Sequence, residues 1–460
     1  EVFMEITLTG TIYEGTYTAK GVYDGTVFPY TVHIPACAEG CDNCALIVMH
    51  DGLNTAEAWA MEQLAGTGEA PPCISVGVVS GTLPLEGGIP RGMRMLNYDM
   101  FTRDYPDFIA DELLPYLTET YDLHISPSPD MHMTSGGSSG GISAWNIAWY
   151  RTDVFRRVYM SSPSFLSMGN GREIPALIRK VETKPIRVWT EFSENEPDDY
   201  FGSSYCAADD AERALKFAGY DMASAFYPGE GHCSRRLNPE NALERMRFLW
   251  KNWDTEPVTV KKLSPRMEKL ISAEHPWEET DHFPQKVDAV TSAGKYTVER
   301  GTIRFTANDG TSRVVGDAPV WNVPLAVSSD KTRLYMGKSG GVIAMTIRPD
   351  GSLAGRFVHA ALHMETDIFV SGAYDLCVSS DDRLYAATDS GIQSIRSFGL
   401  IDAIIPLPDG LVPREIEFDT VDGVTYLYAR TGGKIFRRRW LQGGRPSDTP
   451  TEPLNRGYYD

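Results

Sequence analysis

Two domains of different class are predicted for this 460-residue chain: an α/β domain over 1–254 and a repeating all-β domain over 287–460, joined by a linker or docking segment over 255–286. Three observations carry the prediction. Strand-like and helix-like segments alternate up to residue 254, glycine-led β segments recur after residue 300, and a glycine-serine turn separates a strand from a helix near residue 138.

In chain order, "TVHIPA" and "ALIVMH" are short apolar runs of strand character, and "DFIADELLPYLTETY" spaces its apolar residues as an amphipathic helix does. "IRVWTEF" and "MASAFYPG" predict strands. "AADDAERALKFAG" and "ENALERMRFLWKNW" predict helices, the second of which closes the domain. Strands separated by helices of this length imply a mainly parallel sheet covered on both faces. The following stretch, "DTEPVTVKKLSPRMEKLISAEHPWEETDHFPQK", is charged, proline-punctuated and weakly periodic, as a linker or docking segment is. Beyond it "GTIRFTANDG", "GVIAMTIRPDG", "GIQSIRSFG" and "GKIFRRRW" begin at Gly301, Gly341, Gly391 and Gly433, spacings of 40, 50 and 42 residues. Propeller blades repeat at about 40 to 45 residues, so this part is expected to be propeller-like.

Composition excludes several partners. Lys plus Arg number 43 against 62 Asp plus Glu, a formal charge of −19, which repels nucleic acid and anionic membranes. No apolar run approaches the roughly 20 residues of a membrane helix. The chain opens at Glu1, so its start carries no information on export. Three of the seven cysteines, Cys37, Cys41 and Cys44, crowd into "PACAEGCDNCAL". That spacing serves a zinc site or a disulfide, and no fourth Cys or His follows at a finger-like distance. A disulfide-pinned surface loop and no metal or other cofactor are therefore expected, with a secreted or periplasmic location.

The glycine-serine stretch is not a linker, because "MHMTS" before it ends a strand and "ISAWNIAWYR" after it has helical apolar spacing. Gly137-Ser138-Ser139-Gly140-Gly141 fills a G-x-S-x-G pattern, with Ser139 as the nucleophile. The glycines have a steric reason: the nucleophile's backbone is strained, and its neighbours must lack Cβ atoms where strand and helix approach. A serine needs a base, and the base an orienting acid, in the chain order nucleophile, acid, histidine. Between this turn and residue 254 the chain holds one histidine, His232, in the loop "YPGEGHCSRR" before the closing helix. The acid is expected after "IRVWTEF", where Glu194, Glu196, Asp198 and Asp199 are candidates that the pattern does not separate. The backbone N–H of Gly140 would receive the oxyanion, with Gly52 or Leu53 as second donor in the turn after "ALIVMH"; His50 and Asp51 shape that turn.

From "GVYDGTVFPYTVHIPA" to "FLWKNW" the chain resembles the enterochelin-esterase and carbohydrate-esterase group of serine esterases, through "LIVMHDG", "RGMRMLNYDMFTRDYPDFIADELLPYL", "GGSSGGISAWNIAWYRTDVFRRVYMSSPSF" and "KFAGYD...GEGH". The resemblance implies an α/β-hydrolase fold. Registering "EFSENEPDDYFGSS" on the group's acid loop places Glu196 at the acid, one methylene longer than the usual Asp. It also implies Arg94, Tyr98, Asp99 and Trp145 at the substrate, although Asn97 stands where relatives often have Glu. The implied activity is carboxylic-ester hydrolysis on plant polysaccharides, of feruloyl (hydroxycinnamoyl) esters first and acetyl esters second.

The repeats resemble part of a gluconolactonase or regucalcin-like propeller, through "VPLAVSSDKTRLYMGKS" and "AYDLCVSSDDRLYAAT". Val323, Lys338 and Tyr374 fall where that family has metal-ligating Asn and Asp, which argues against a metal site. Three to four blades are expected where the family builds six. A truncated propeller would pack against the α/β domain or a second copy, giving a homodimer. The alternatives to an esterase are a metal-dependent sugar-lactone hydrolase and a non-catalytic carbohydrate-binding protein.

Overall fold

The computed structural model describes residues 6–318, 323–363 and 372–446, so the tail expected beyond the last repeat lies outside the described residues from 447 onward. The chain divides into two compact units, 1–179 with 183–262, and 180–182 with 263–460.

The first unit is an α/β domain on eight principal strands: β1 (Thr11–Thr18), β2 (Val27–Ile34), β3 (Ala45–His50), β4 (Cys73–Val78), β5 (His132–Gly137), β6 (Arg157–Ser161), β7 (Arg187–Asn195) and β8 (Asp221–Gly231). Their order is β8-β7-β6-β5-β3-β4-β2, with β1 on β2. The six strands from β8 to β4 run parallel, and β2 and β1 run antiparallel. Every residue of β3 to β6 is buried, and this two-sided cover is why "ALIVMH" is an unbroken apolar run. The expected helix over 107–121 is observed as Asp104–Asp107, a π-helical stretch Phe108–Leu113 and Leu114–Tyr121. The change of winding precedes Pro115, which has no N–H to donate back to that turn. Asn54, Ser203 and Asn238 cap the helices Thr55–Thr67, Ser204–Ala218 and Pro239–Leu249 with side-chain oxygens on the first free N–H groups.

The expected linker over 255–286 is not a free segment. Val258 is buried in the first unit, its N–H donating to Asp130 Oδ1 at 2.9 Å, while Leu263, Met267, Leu270 and Ile271 are buried in the second. Its proline and charge content hid apolar residues that each unit covers. The second unit is a propeller-like ring of four antiparallel sheets of four strands each. The fourth takes its outer strand, Glu278–Glu279, from ahead of the first, paired with Arg437 and Phe436 of Ile435–Arg439. Val287, just ahead of the first sheet, and Val327, Cys377 and Glu417, in the second, third and fourth, line a common cavity. The expected truncated propeller is thus a small ring joined end to end, because the closing strand lay in the stretch that resembled a linker.

The seven cysteines are all free, so the expected disulfide is not formed. Cys44 is buried at the start of β3 with Sγ directed to the carbonyls of Ala38 and Cys41, at 3.9 and 3.5 Å.

Candidate active site

The strand β5 ends at Gly137 and the helix Ser139–Tyr150 begins two residues later, so one residue must reverse the chain. That residue is Ser138, at φ 57° and ψ −126°. Its N–H donates to Ser161 O at 2.9 Å, its carbonyl starts the helix by accepting from Gly141 N at 2.9 Å, and its Oγ lies 3.1 Å from Ser164 Oγ. A Cβ on Gly136 would lie 2.1 Å from Gly140 O, so these two glycines permit the approach of strand to helix.

The expected strain at Ser139 is therefore corrected to Ser138. Two glycine registers fit the stretch, Gly137-x-Ser139-x-Gly141 and Gly136-x-Ser138-x-Gly140, and the backbone adopts the second. Ser139 is helical and 8% exposed, and the Asp99 carboxyl near it is raised by burial, with Ser139 drawing it part of the way back.

His232 follows β8 directly. Its Nδ1 lies 2.5 Å from Glu196 Oε2, on the loop after β7. Glu196 Oε1 accepts from Ser162 Oγ at 2.5 Å and Ser193 N at 3.0 Å. Burial would raise this carboxyl, but the hydrogen bonds from His232, Ser162 and Ser193 hold it below the usual range. His232 in turn is raised, by Cys233 beside it and then by its hydrogen bond to Glu196, against desolvation. The other acidic candidates are elsewhere: Glu194 Oε2 accepts from Gly229 N at 2.8 Å, and Asp198 and Asp199 are exposed in a two-residue hairpin. The histidine loop adjoins the serine turn, since a Cβ on Gly137 would lie 3.0 Å from Cys233 Sγ.

The turn after β3 completes the group. Asp51 and Gly52 both have positive φ, 66° and 94°, and a Cβ on Gly140 would lie 3.1 Å from His50 Cβ. Gly52 N–H is used, donating to Val78 O at 3.3 Å, which removes it as an oxyanion donor and leaves Leu53. Among the described residues neither Leu53 N–H nor Ser139 N–H has a protein acceptor. His50 is fully buried, its Nδ1 2.9 Å from Ser135 O, and burial lowers it to about 4, so it is a neutral brace. Arg236 Nη2 donates to His50 O at 2.7 Å and ties the histidine loop to this turn.

Of the expected substrate contacts, Arg94 is half-exposed and ion-paired with Asp51, Nη2 to Oδ2 at 3.0 Å. Tyr98 is buried, donates to Val78 O at 3.0 Å and supports the turn. Trp145 is corrected to a core residue: it is fully buried, with Trp149 and Tyr220 rings 5.5 and 5.8 Å away. Sequence reasoning passed over Ser162, Ser164 and Arg236. "MSSPSF" carried no local pattern by which its serines could be singled out.

A family model described as "Esterase: Putative esterase" matches residues 30–293. No curated protein matches. Among solved structures, a ferulic acid esterase is 17% identical with a TM-score of 0.39, covering 52% of this chain and 97% of its own. The enterobactin esterase FES from Shigella flexneri, solved with 2,3-di-hydroxy-N-benzoyl-glycine, is 15% identical with a TM-score of 0.40, covering 53% and 60%. An S-formylglutathione hydrolase from Agrobacterium tumefaciens is 13% identical with a TM-score of 0.40, covering 54% and 98%.

Proposed function

The chain belongs to the Esterase family, and on that premise we propose that this serine ester hydrolase uses Ser138 as nucleophile, His232 as proton carrier and Glu196 as the orienting acid. The observation that carries the reading is the His232–Glu196 pair at 2.5 Å on loops adjoining the one strained serine of the turn. As Ser138 Oγ adds to the ester carbonyl carbon, its proton passes to His232 Nε2. The oxyanion is received by the N–H groups of Ser139 and Leu53, at the start of a helix whose dipole favours negative charge. The imidazolium then gives its proton to the leaving alkoxide as the C–O bond breaks, and water repeats the sequence on the acyl-enzyme.

The substrate we assign is an uncharged ester on a plant polysaccharide, hydroxycinnamoyl first and acetyl second. The net charge of −19 supports an uncharged substrate over an anionic one. Hydrolysis of 4-nitrophenyl acetate, methyl ferulate and acetylated xylan by wild type, Ser138→Ala and Ser139→Ala tests both parts. Activity should vanish in the first variant and persist in the second, with labelling by a fluorophosphonate at Ser138. Loss confined to Ser139→Ala would return the nucleophile to the neighbouring residue, and inertness of wild type toward methyl ferulate and acetylated xylan would remove the substrate assignment.

A further inference from the structure

Resting on that reading, we infer that Ser162 is a positioning residue of the catalytic group, its hydroxyl fastening the acid and the histidine loop to each other. Ser162 follows β6 directly, is 2% exposed and is held at φ 44°, a backbone region unfavourable to any residue with a Cβ. Its N–H donates to Glu191 O at 2.7 Å, which anchors the strained turn to β7. From there the hydroxyl makes two bonds: it donates to Glu196 Oε1 at 2.5 Å and accepts from Cys233 N at 3.0 Å.

These two bonds reach both partners of the pair. Glu196 has one oxygen on His232 and the other on Ser162 and Ser193 N–H, so the hydroxyl sets the direction in which the carboxylate faces the ring. Cys233 is the residue after His232, so its N–H bond sets where the ring begins. The flanking residues serve the serine turn: Ser161 O accepts from Ser138 N, Ser164 Oγ meets Ser138 Oγ, and Pro163 packs where a Cβ on Gly141 would be 3.3 Å away. The four residues 161–164 thus touch the nucleophile turn, the acid and the histidine loop, and Ser162 is the member that joins the last two. A strained, buried serine whose hydroxyl is wholly spent on two loops is over-determined by function rather than by the core, since glycine would fit the backbone better.

The test separates fastening from mere backbone support. Ser162→Ala keeps the strained backbone and deletes the hydroxyl, and Ser162→Gly deletes the hydroxyl while relieving φ 44°. With 4-nitrophenyl acetate as probe, both should lose roughly ten- to a hundredfold in kcat with KM little changed, the scale expected when reacting groups are misaligned. The acidic limb of the kcat/KM profile should move to lower pH in both, because a carboxylate held less firmly stabilises the imidazolium less. The titratable and charged groups nearby are Cys233, Arg235 and Arg236 on the histidine's own loop, Glu230 at the end of β8 and paired with Arg235, and Glu191 and Glu194 on β7, and none is replaced. In a Glu196→Gln background either substitution should cost less than threefold, since Ser162 acts through that carboxylate. A folded Ser162→Gly enzyme turning over at the wild-type rate, a change confined to KM, or an undiminished loss in the Glu196→Gln background would each overturn the inference. Retained activity in Ser138→Ala would instead remove the reading on which it rests.

Discussion

Glu196 exposes none of its side chain, yet it sits below the usual carboxylate range because three hydrogen bonds outweigh its burial. Its partner His232 is raised, by Cys233 first and Glu196 second, to about 10. A raised base holds its proton longer, so kcat/KM should climb with pH along a limb above the ordinary histidine value of 6.5. Glu196→Gln should lower kcat/KM by roughly two to four orders of magnitude and bring that limb down, as a pH–rate profile would measure. The pair also has a stability window. A lowered Glu196 contributes above its ordinary 4.5 and its share is lost as pH falls through the lower folded value; a raised His232 contributes below 6.5 and its share is lost as pH rises toward about 10. The difference in melting temperature between wild type and Glu196→Gln should therefore be largest between pH 4.5 and 6.5 and shrink on either side.

At the scale of elements, the junction of β5 with the helix Ser139–Tyr150 is set by glycines of unequal tolerance. On Gly136 a methyl would meet the backbone at Gly140 O at 2.1 Å, which cannot yield unless strand and helix separate. On Gly137 it would meet Cys233 Sγ and Arg236 Cδ, each at 3.0 Å, and side chains can yield. Gly136→Ala should therefore destabilise by about 1–3 kcal/mol or more in urea unfolding, the usual scale of overpacking. Gly137→Ala should cost less stability but slow turnover, by pushing the histidine loop. Equal stability of the two variants would contradict this ranking. The elements themselves were largely legible: "ALIVMH" is β3 residue for residue, and the helices and strands expected from "IRVWTEF" to "ENALERMRFLWKNW" are present, displaced by a few residues at their ends. The π-helical stretch at 108–113 was not legible, since it depends on how a proline inside a helix is accommodated.

At the scale of the whole chain, the ring carries its own cation. Lys286 Nζ donates to Asp375 Oδ2 at 2.7 Å, Leu376 O at 3.2 Å and Ile416 O at 2.7 Å, with Glu417 Oε2 at 3.7 Å. One ammonium thereby joins the segment before the first sheet to the third and fourth. Lys286→Met would leave Asp375, already raised by burial, without its counter-charge; because the lysine is one third exposed the change should be about 1–3 kcal/mol, the scale of a partly buried group left without its hydrogen bond. Thermal unfolding should show this loss at pH 7 and less of it at acidic pH, where a carboxyl kept neutral needs no partner. A ring joined through Glu278–Glu279 also lacks the open ends that two half-propellers were expected to cover, so elution should follow the 51.0 kDa monomer. Elution at twice that mass would restore the expected pairing.

By itself the sequence determined the two fold classes, the position of the serine turn between strand and helix, the histidine before the closing helix and the order of the three loops, because each is written in local periodicity or in a residue type that occurs once in its region. Tertiary structure alone decided what local pattern left degenerate. "GGSSGG" admits two registers of equal composition, and the strain falls on Ser138 because Gly136 and Gly140 must meet. Four carboxylates crowd the end of β7 and the loop after it, and distance alone brings Glu196 to His232. Glu278–Glu279 has no strand signature and becomes one only because Arg437 and Phe436, far along the chain, offer it an edge. Hydrogen bonds between residues distant in sequence, such as Ser162 to Glu196 and to Cys233, have no one-dimensional signal, since they exist only once the sheet has aligned the loops that carry them.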